Sequence, residues 1–326
     1  MERFEYASPK SRKEAVGLLE GEWGHTEVIA GGTDLVSAMK DYAVTPSRVV
    51  SLKHIPDLRG VKFRAGKELR IGSMTTLREL MNDRAVKQNY LAVYEAIEEI
   101  HGEQIRNMAT VGGSLLQRPR CWYFRLGYGL LAERDGKSMV GEGDNRYHAI
   151  LGNSGPAKFV SPSTLAPVLI ALNARVTLDG PHGVRQIALE KLYTTPTEPG
   201  QREHTLQPDE ILTEVIVPHA AGLRSAMCEL RQKEELDWPL STAAVALELS
   251  GGTVSHARIV LGHVAPVPWV SPEASQALEG KTVTEETADA AGQAAVSNAT
   301  PLSMNGYKVQ LTRVAVKRAI LKARGV

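Results

Sequence analysis

The chain has 326 residues, 43% of them hydrophobic, which is enough for two or three packed domains rather than one small module. Its 38 basic and 37 acidic residues cancel to a formal +1, which argues against a nucleic-acid-binding surface. No apolar run reaches membrane-spanning length, and the start Met1-Glu2-Arg3-Phe4 lacks a secretory core, so a cytoplasmic protein without a membrane span is expected.

In chain order, Ala15, Leu18 and Leu19 form the apolar stripe of a first helix, and Val28-Ile29-Ala30 reads as a short buried strand. That strand enters Gly31-Gly32, after which residues 34–40 read as a helix capped by Thr33 or Asp34. A strand at 49–52 closes a first unit near Pro56. Residues 69–72 are strand-like, 75–80 begin like a capped helix, and 92–97 are helical. The chain then runs through Ile105, Arg106 and Asn107 into a second glycine pair, Gly112-Gly113. Residues 165–172 read as an internal helix entered through Ser161-Pro162-Ser163-Thr164, followed by a strand at 175–178. Residues 196–207 are polar and broken by Pro196, Pro199 and Gly200, so they read as a domain connection. Strands follow at 211–217, 242–249 and 254–261, the last two joined by a tight turn at Ser250-Gly251-Gly252. Helices are expected at 272–280, 284–299 and 309–322. The fold class is therefore α+β: subdomains at 1–56 and 57–207, then a C-terminal antiparallel sheet packed with helices at 208–326.

Two segments invite a functional reading, Ala30-Gly31-Gly32-Thr33-Asp34 and Thr110-Val111-Gly112-Gly113-Ser114. Each offers bare backbone N–H groups beside a small hydroxyl, which suits a diphosphate approached closely by main chain and met by a helix dipole. Thr33 can donate its hydroxyl, while Asp34 caps backbone or orients Thr33, because a carboxylate would repel phosphate. On this reading a valine at Gly32 crowds the phosphate approach. A long cofactor crossing between subdomains would use both pairs, with Arg106, Asn107 and Thr110 supplying polar contacts. Neither pair has Rossmann or P-loop spacing, and tight strand–turn–helix packing accounts for each pair alone equally well.

Independent catalysis finds little support. Cys121 and Cys228 are too few for an iron–sulfur cluster and form no CxxC motif. The nine histidines form no HExxH pair, so no metal site is expected, and His54, His101 and His148 read as structural or solvated. No Cys–His nucleophilic pair or placed pair of carboxylates is apparent, so no catalytic residue is assigned. Trp238 reads as packing, although it is a candidate neighbour of a flat cofactor.

Longer motifs sharpen the reading: AGGTD at 30–34, IGSMTTL at 71–77, IRNMATVGGSL at 105–115, and SPSTLAPVLIALNA at 161–174. LDWPLSTAAVAL at 236–247, LGHVAPVPW at 261–269 and NGYKVQL at 305–311 continue the series. On these the chain resembles the medium, FAD-binding subunit of the molybdenum hydroxylases, the xanthine dehydrogenase and aldehyde oxidoreductase group. The resemblance implies a two-subdomain FAD-binding fold with Ile29, Ala30, Gly31, Gly32, Thr33, Asp34 and Leu35 at the diphosphate. It further implies that Thr110, Gly112, Gly113 and Ser114 hold the extended dinucleotide, with Arg106, Thr164 and Leu165 as further contacts. The implied partners are a large molybdopterin subunit, a small subunit with two [2Fe-2S] clusters, and an external electron acceptor. The implied reaction is aldehyde or aromatic-heterocycle oxidation. Reduction of an aromatic CoA thioester, as in the hydroxybenzoyl-CoA reductase branch, and a flavin-free assembly role are the alternatives.

Three departures from the family pattern stand out. Thr164 occupies a usually acidic position, and Glu229 stands where relatives often carry a lysine before Leu230-Arg231. The run Gln117-Arg118-Pro119-Arg120-Cys121-Trp122-Tyr123-Phe124-Arg125 resembles the start of an insertion that in some relatives ligates a four-iron cluster. Through residue 149 this chain keeps only Cys121, so no [4Fe-4S] cluster is expected here. Cys121 is read as a packed remnant and the aromatic-basic run as a subunit contact.

Overall fold

The structure is a computed structural model that describes residues 1–219, 222–233 and 237–325. Leu236, the first residue of the LDWPL motif, lies outside the described residues.

The first lobe is a parallel sheet of β1 (Glu5–Ala7), β2 (Thr26–Ile29) and β3 (Arg48–Ser51), in the order β1-β3-β2. Parallel neighbours need crossovers, and the helices Arg12–Gly17 and Leu35–Lys40 provide them. Ser11 caps the first helix by accepting the Glu14 N–H. Ala15, Val50, Leu52, Ile55 and Leu58 make the core of this lobe.

The second lobe opens with a hairpin of β4 (Val61–Arg64) and β5 (Glu68–Gly72). The insertion carries its own small hairpin, β6 (Glu133–Arg134) and β7 (Lys137–Ser138). The main sheet is completed by β8 (Arg175–Gly180), β9 (Gly183–Ala188) and β10 (Ile211–Pro218), in the antiparallel order β4-β5-β10-β8-β9. β10 is thus the central strand. The second lobe consequently runs through Pro218, and the expected boundary at 207 must move beyond it, because β5 and β8 both pair with β10. Helices Leu77–Asn82, Leu91–Glu98, Val111–Leu115 and Leu165–Ala171 contribute to the core of this lobe. Thr76 starts the first of them with a capping box, accepting from Glu79 N while Glu79 accepts from Thr76 N.

The third lobe is an antiparallel sheet of β11 (Leu223–Leu230), β12 (Ser241–Ser250), β13 (Thr253–Gly262) and β14 (Trp269–Val270), in chain order. Gly251 and Gly252 take φ of 58° and 84° in the β12–β13 turn, the left-handed pair that such a two-residue connection needs. Along β12, Ala244 and Ala246 join the second-lobe core, whereas Ala243, Val245 and Leu247 face the helices Pro272–Leu278, Glu285–Ala295 and Tyr307–Arg324. A strand covered on both faces has no solvent side, which is why this segment reads as an unbroken apolar run. Among the described residues no helix is long and apolar enough to cross a membrane.

Candidate functional site

Two cavities adjoin where the lobes meet. One of about 150 Å³ lies between the first-lobe loop and residues 202–212. The other, of about 280 Å³, lies between the second lobe and the start of the third. Thr33, Asp34, Gly113 and Gln117 line both, so they are two arms of one cleft with the glycine segments at the junction.

The glycine segments differ in kind. The backbone N–H groups of Gly31, Gly32, Thr33 and Asp34 find no acceptor among the described residues. The second pair offers no such row. Val111 N donates to Thr75 O, Gly112 N to Ser73 O, Gly113 N to Thr110 Oγ1 and Ser114 N to Thr110 O, at 2.8 to 3.1 Å. The expectation of two equivalent bare cradles therefore fails at 110–114, where Thr110 caps its own short helix. What this segment offers is the hydroxyl of Ser114, which like that of Ser73 is buried without a partner.

The glycines also do different work from that expected. A Cβ on Gly31 would lie 1.8 Å from the carbonyl oxygen of Met108, so this glycine lets the two loops touch. A Cβ on Gly112 would meet Ser73 at 2.9 Å. Gly32 is needed for its φ of 76°, and its Cβ would point at Val36 and Ile29 rather than crowd an arriving phosphate.

Residues 2–220 match the family described as FAD binding domain in molybdopterin dehydrogenase, and residues 225–323 match the CO dehydrogenase flavoprotein C-terminal domain. The chain belongs to the FAD-binding medium-subunit family of the molybdenum hydroxylases. Over 323 residues it is 30% identical to the carbon monoxide dehydrogenase medium chain of Hydrogenophaga pseudoflava, covering 98% of this chain and 96% of that one. It is 28% identical to the aldehyde oxidoreductase FAD-binding subunit PaoB of Escherichia coli K12, with 91% of each chain covered. Among solved structures, carbon monoxide dehydrogenase from Hydrogenophaga pseudoflava, in a form lacking the Mo-pyranopterin moiety, superposes with a TM-score of 0.77 at 30% identity. That match covers 99% of this chain and 98% of the other.

This flavoprotein subunit carries residues that fit FAD. Four adjacent unpartnered N–H groups, the two unpartnered hydroxyls of Ser73 and Ser114, and the Arg120 guanidinium all border the cleft. That is a donor-rich strip whose N–H and hydroxyl groups lack acceptors, which is what an extended diphosphate requires.

Of the residues singled out from sequence, 30–35 line the cleft together with Thr110, Gly112, Gly113, Ser114 and Thr164. Three do not. Ile29 packs its side chain beneath Gly32. Leu165 is fully buried in the second-lobe core. Arg106 donates to the carbonyls of Glu98 at 3.2 Å and Ile100 at 3.0 Å, closing the end of helix Leu91–Glu98, and Asn107 accepts from Arg78.

Asp34 holds the N-cap position of helix Leu35–Lys40 but makes no cap bond and does not orient Thr33. Its Oδ1 instead takes Arg120 at 2.8 Å and Arg125 at 2.7 Å, and its Oδ2 accepts the backbone N–H of Arg118 at 2.7 Å. Arg118 itself pairs with the buried Glu203 at 2.5 Å. The arginines of the insertion therefore fold inward over the first loop. Residues 196–207, expected as a connection, supply Arg202, Glu203 and His204 to the cleft and its rim. Arg202 pairs with Glu27 at 2.5 Å and lies over the Trp23 ring at 4.4 Å; burial pushes the Glu27 carboxyl up.

At the third-lobe end, Thr164 Oγ1 donates to Glu229 Oε2 at 3.0 Å, and Arg231 grips Glu229 while also reaching Glu99 and His101. Burial raises the Glu229 carboxyl to about 7, despite the opposing pull of Arg231.

The insertion also contains a Cys–His contact that the sequence does not reveal. Cys121 Sγ sits 3.2 Å from His148 Nε2. Burial pushes the thiol up and, with Lys308, pulls His148 down to about 4, so both are held neutral and no thiolate is prepared. Trp122 packs edge-on to His148 at 5.9 Å, which makes the aromatic run internal packing. His54 is exposed and His101 is bound to Arg231. Among the described residues no group of three or more His, Cys, Asp or Glu is placed to hold a metal ion.

Proposed function

We infer that this subunit binds one extended FAD along the cleft and relays electrons between iron–sulfur clusters of a small partner subunit and an external acceptor. On this reading a large molybdopterin subunit oxidises the substrate, an aldehyde or aromatic heterocycle. The observation that carries it is the row of unpartnered N–H groups at Gly31–Asp34, set at the junction of the two cavities. The names of the relatives, a medium chain and an FAD-binding subunit, support a place in a multisubunit oxidoreductase.

FAD, when bound, accepts a two-electron equivalent and releases electrons singly. The chain's own groups bind and orient it. Gly31–Asp34 donate backbone N–H groups to the diphosphate, and Ser73 and Ser114 donate hydroxyls from opposite arms. Leu35, Leu52, Met74, Leu206 and Ile211 line the first arm and keep water from that end. In the second arm Thr164 and Arg231 fix the Glu229 carboxyl, whose Oε atoms carry a proton below about pH 7 and lose it above. Glu229 thus sets a pH-dependent charge on the cleft wall.

Purification of the assembly with its copurifying chains, followed by cofactor extraction, tests the reading. Near-equimolar, noncovalent FAD per copy of this chain is expected, together with chains bearing molybdopterin and iron. An intact, active assembly without flavin would reduce this subunit to an assembly role and overturn the proposal.

A further inference from the structure

Resting on the FAD reading above, we propose that Arg120, carried by the insertion, is the cationic partner of the dinucleotide's diphosphate. The starting point is a mismatch of charge. One carboxylate, Asp34, serves two guanidinium groups, Arg120 and Arg125, both on Oδ1. The nearby pairs Arg118–Glu203 and Arg202–Glu27 are matched one to one. At this carboxylate the guanidinium groups therefore outnumber the acids two to one, so neither has Asp34 to itself.

The two arginines on Asp34 are not equivalent. Arg125 is tied down by its own loop, donating to the carbonyls of Pro119 at 2.9 Å and Arg118 at 3.1 Å. Arg120 has a weaker hold, one 3.2 Å bond to Gln117 Oε1 and the face of Trp238 at 4.4 Å. Each guanidinium keeps one buried nitrogen without an acceptor, Nε of Arg120 and Nη1 of Arg125, so the looser hold and the position set them apart. Arg120 also lines the second cavity beside Thr33, Gly113 and Ser114, whereas Arg125 lines neither arm of the cleft.

A planar guanidinium with unused donors next to a row of bare N–H groups has the chemistry to grip a doubly charged diphosphate. A diphosphate would give Arg120 an acceptor that it does not share with Arg125. The insertion thereby acts as a charged clasp on the first-lobe loop: Asp34 holds the clasp in place and Arg120 meets the ligand. Nothing in the motif AGGTD indicates this residue, because it arrives from 86 positions further along the chain.

The test uses the full chain stripped of flavin and titrated with FAD, ADP and riboflavin by calorimetry and flavin fluorescence. Arg120→Ala is expected to weaken FAD and ADP about 10-fold or more and to leave riboflavin within about twofold, since riboflavin has no phosphate. Arg120→Lys, which keeps the charge but not the planar fork, is expected to recover only part of the loss. Arg120→Gln keeps much of the stem over Trp238 and replaces the alanine variant if that one fails to fold. Wild-type FAD affinity in the folded alanine or glutamine variant overturns the proposal while leaving the FAD reading intact. Equal weakening of riboflavin overturns it too, by showing a loss not specific to phosphate. A wild-type chain that binds no FAD overturns both.

Discussion

Thr164 donates its hydroxyl hydrogen to Glu229 Oε2 across 3.0 Å, joining the head of helix Leu165–Ala171 to the end of strand β11. These are the two positions at which the chain departs from the acid and lysine that the family resemblance implies. They touch one another, so the departures are one exchange: a neutral donor now faces an acid that Arg231 also holds. Thr164→Val, which removes the donor, is expected to cost about 1 kcal/mol. Thr164→Asp sets a second carboxylate against Glu229 and is expected to cost more, increasingly so above pH 7. Urea melts at pH 6 and pH 8 distinguish the two, and equal losses at both pH values for the aspartate would refute the contact.

Glu229 gives the stability a pH dependence of known sign. Burial raises its carboxyl to about 7 from the ordinary 4.5, so the folded state holds this proton more tightly than the unfolded chain. Its contribution is fully present below the unfolded value and is lost as pH rises through about 7. Relative to Glu229→Gln, the wild type is expected to lose stability from about pH 5 to pH 7 and then to level off. Parallel profiles in thermal scans would exclude Glu229 as the titrating group.

The glycines should rank by what surrounds them. Gly31→Ala drives a methyl into the Met108 carbonyl at 1.8 Å and is expected to cost about 3 kcal/mol or more. Gly32→Ala forces a left-handed backbone at φ 76° and sets its methyl 3.3 Å from the Val36 side chain, about 2 kcal/mol together. Gly113→Ala meets only the capping Thr110 hydroxyl, at 3.1 Å, and is expected to cost about 1 kcal/mol, the worth of that cap. Denaturant melts of the three variants check the order; a tolerated alanine at Gly31 would contradict the contact between the loops.

Lys308 pins the insertion to the third lobe. Its buried ammonium, lowered to about 7 by desolvation, donates to the carbonyls of His263 at 2.6 Å, His148 at 3.1 Å and Tyr147 at 3.3 Å. Lys308→Met leaves the His263 carbonyl without its donor, while His148 keeps Asn305 Nδ2 at 3.1 Å, and is expected to cost about 2 kcal/mol. Limited proteolysis should then cut within 117–149 sooner than in the wild type. Unchanged cleavage would remove Lys308 from that role.

Much of the fold was legible because its signals are local. The β12–β13 turn declares itself in Gly251-Gly252, and the long C-terminal helix in its apolar spacing, although it runs Tyr307–Arg324 rather than 309–322. β1, β4, β9 and β11 went unread: two are short, β9 is largely exposed, and β11 mixes Arg224, Ser225 and Glu229 with apolar residues. The first glycine loop was legible as a cradle, but pairing removes the bare N–H groups from the second, and no local pattern shows that Thr75 and Ser73 would supply the acceptors. Arg118, Arg120, Arg125, Arg202 and Glu203 were missed at the site because they come from an insertion and from a stretch whose prolines mimic a linker. An alternation of arginines in Gln117-Arg118-Pro119-Arg120 was the one available hint, and on its own it fits an outer face equally well.

The place of β10 between β5 and β8 has a consequence for how the polypeptide can be divided. A fragment ending at Gln207 would split its five-stranded sheet into two unjoined hairpins, each with a naked inner edge inviting aggregation. Any natural gene fusion, fission or circular rearrangement of this subunit must therefore leave the chain uncut as far as Pro218.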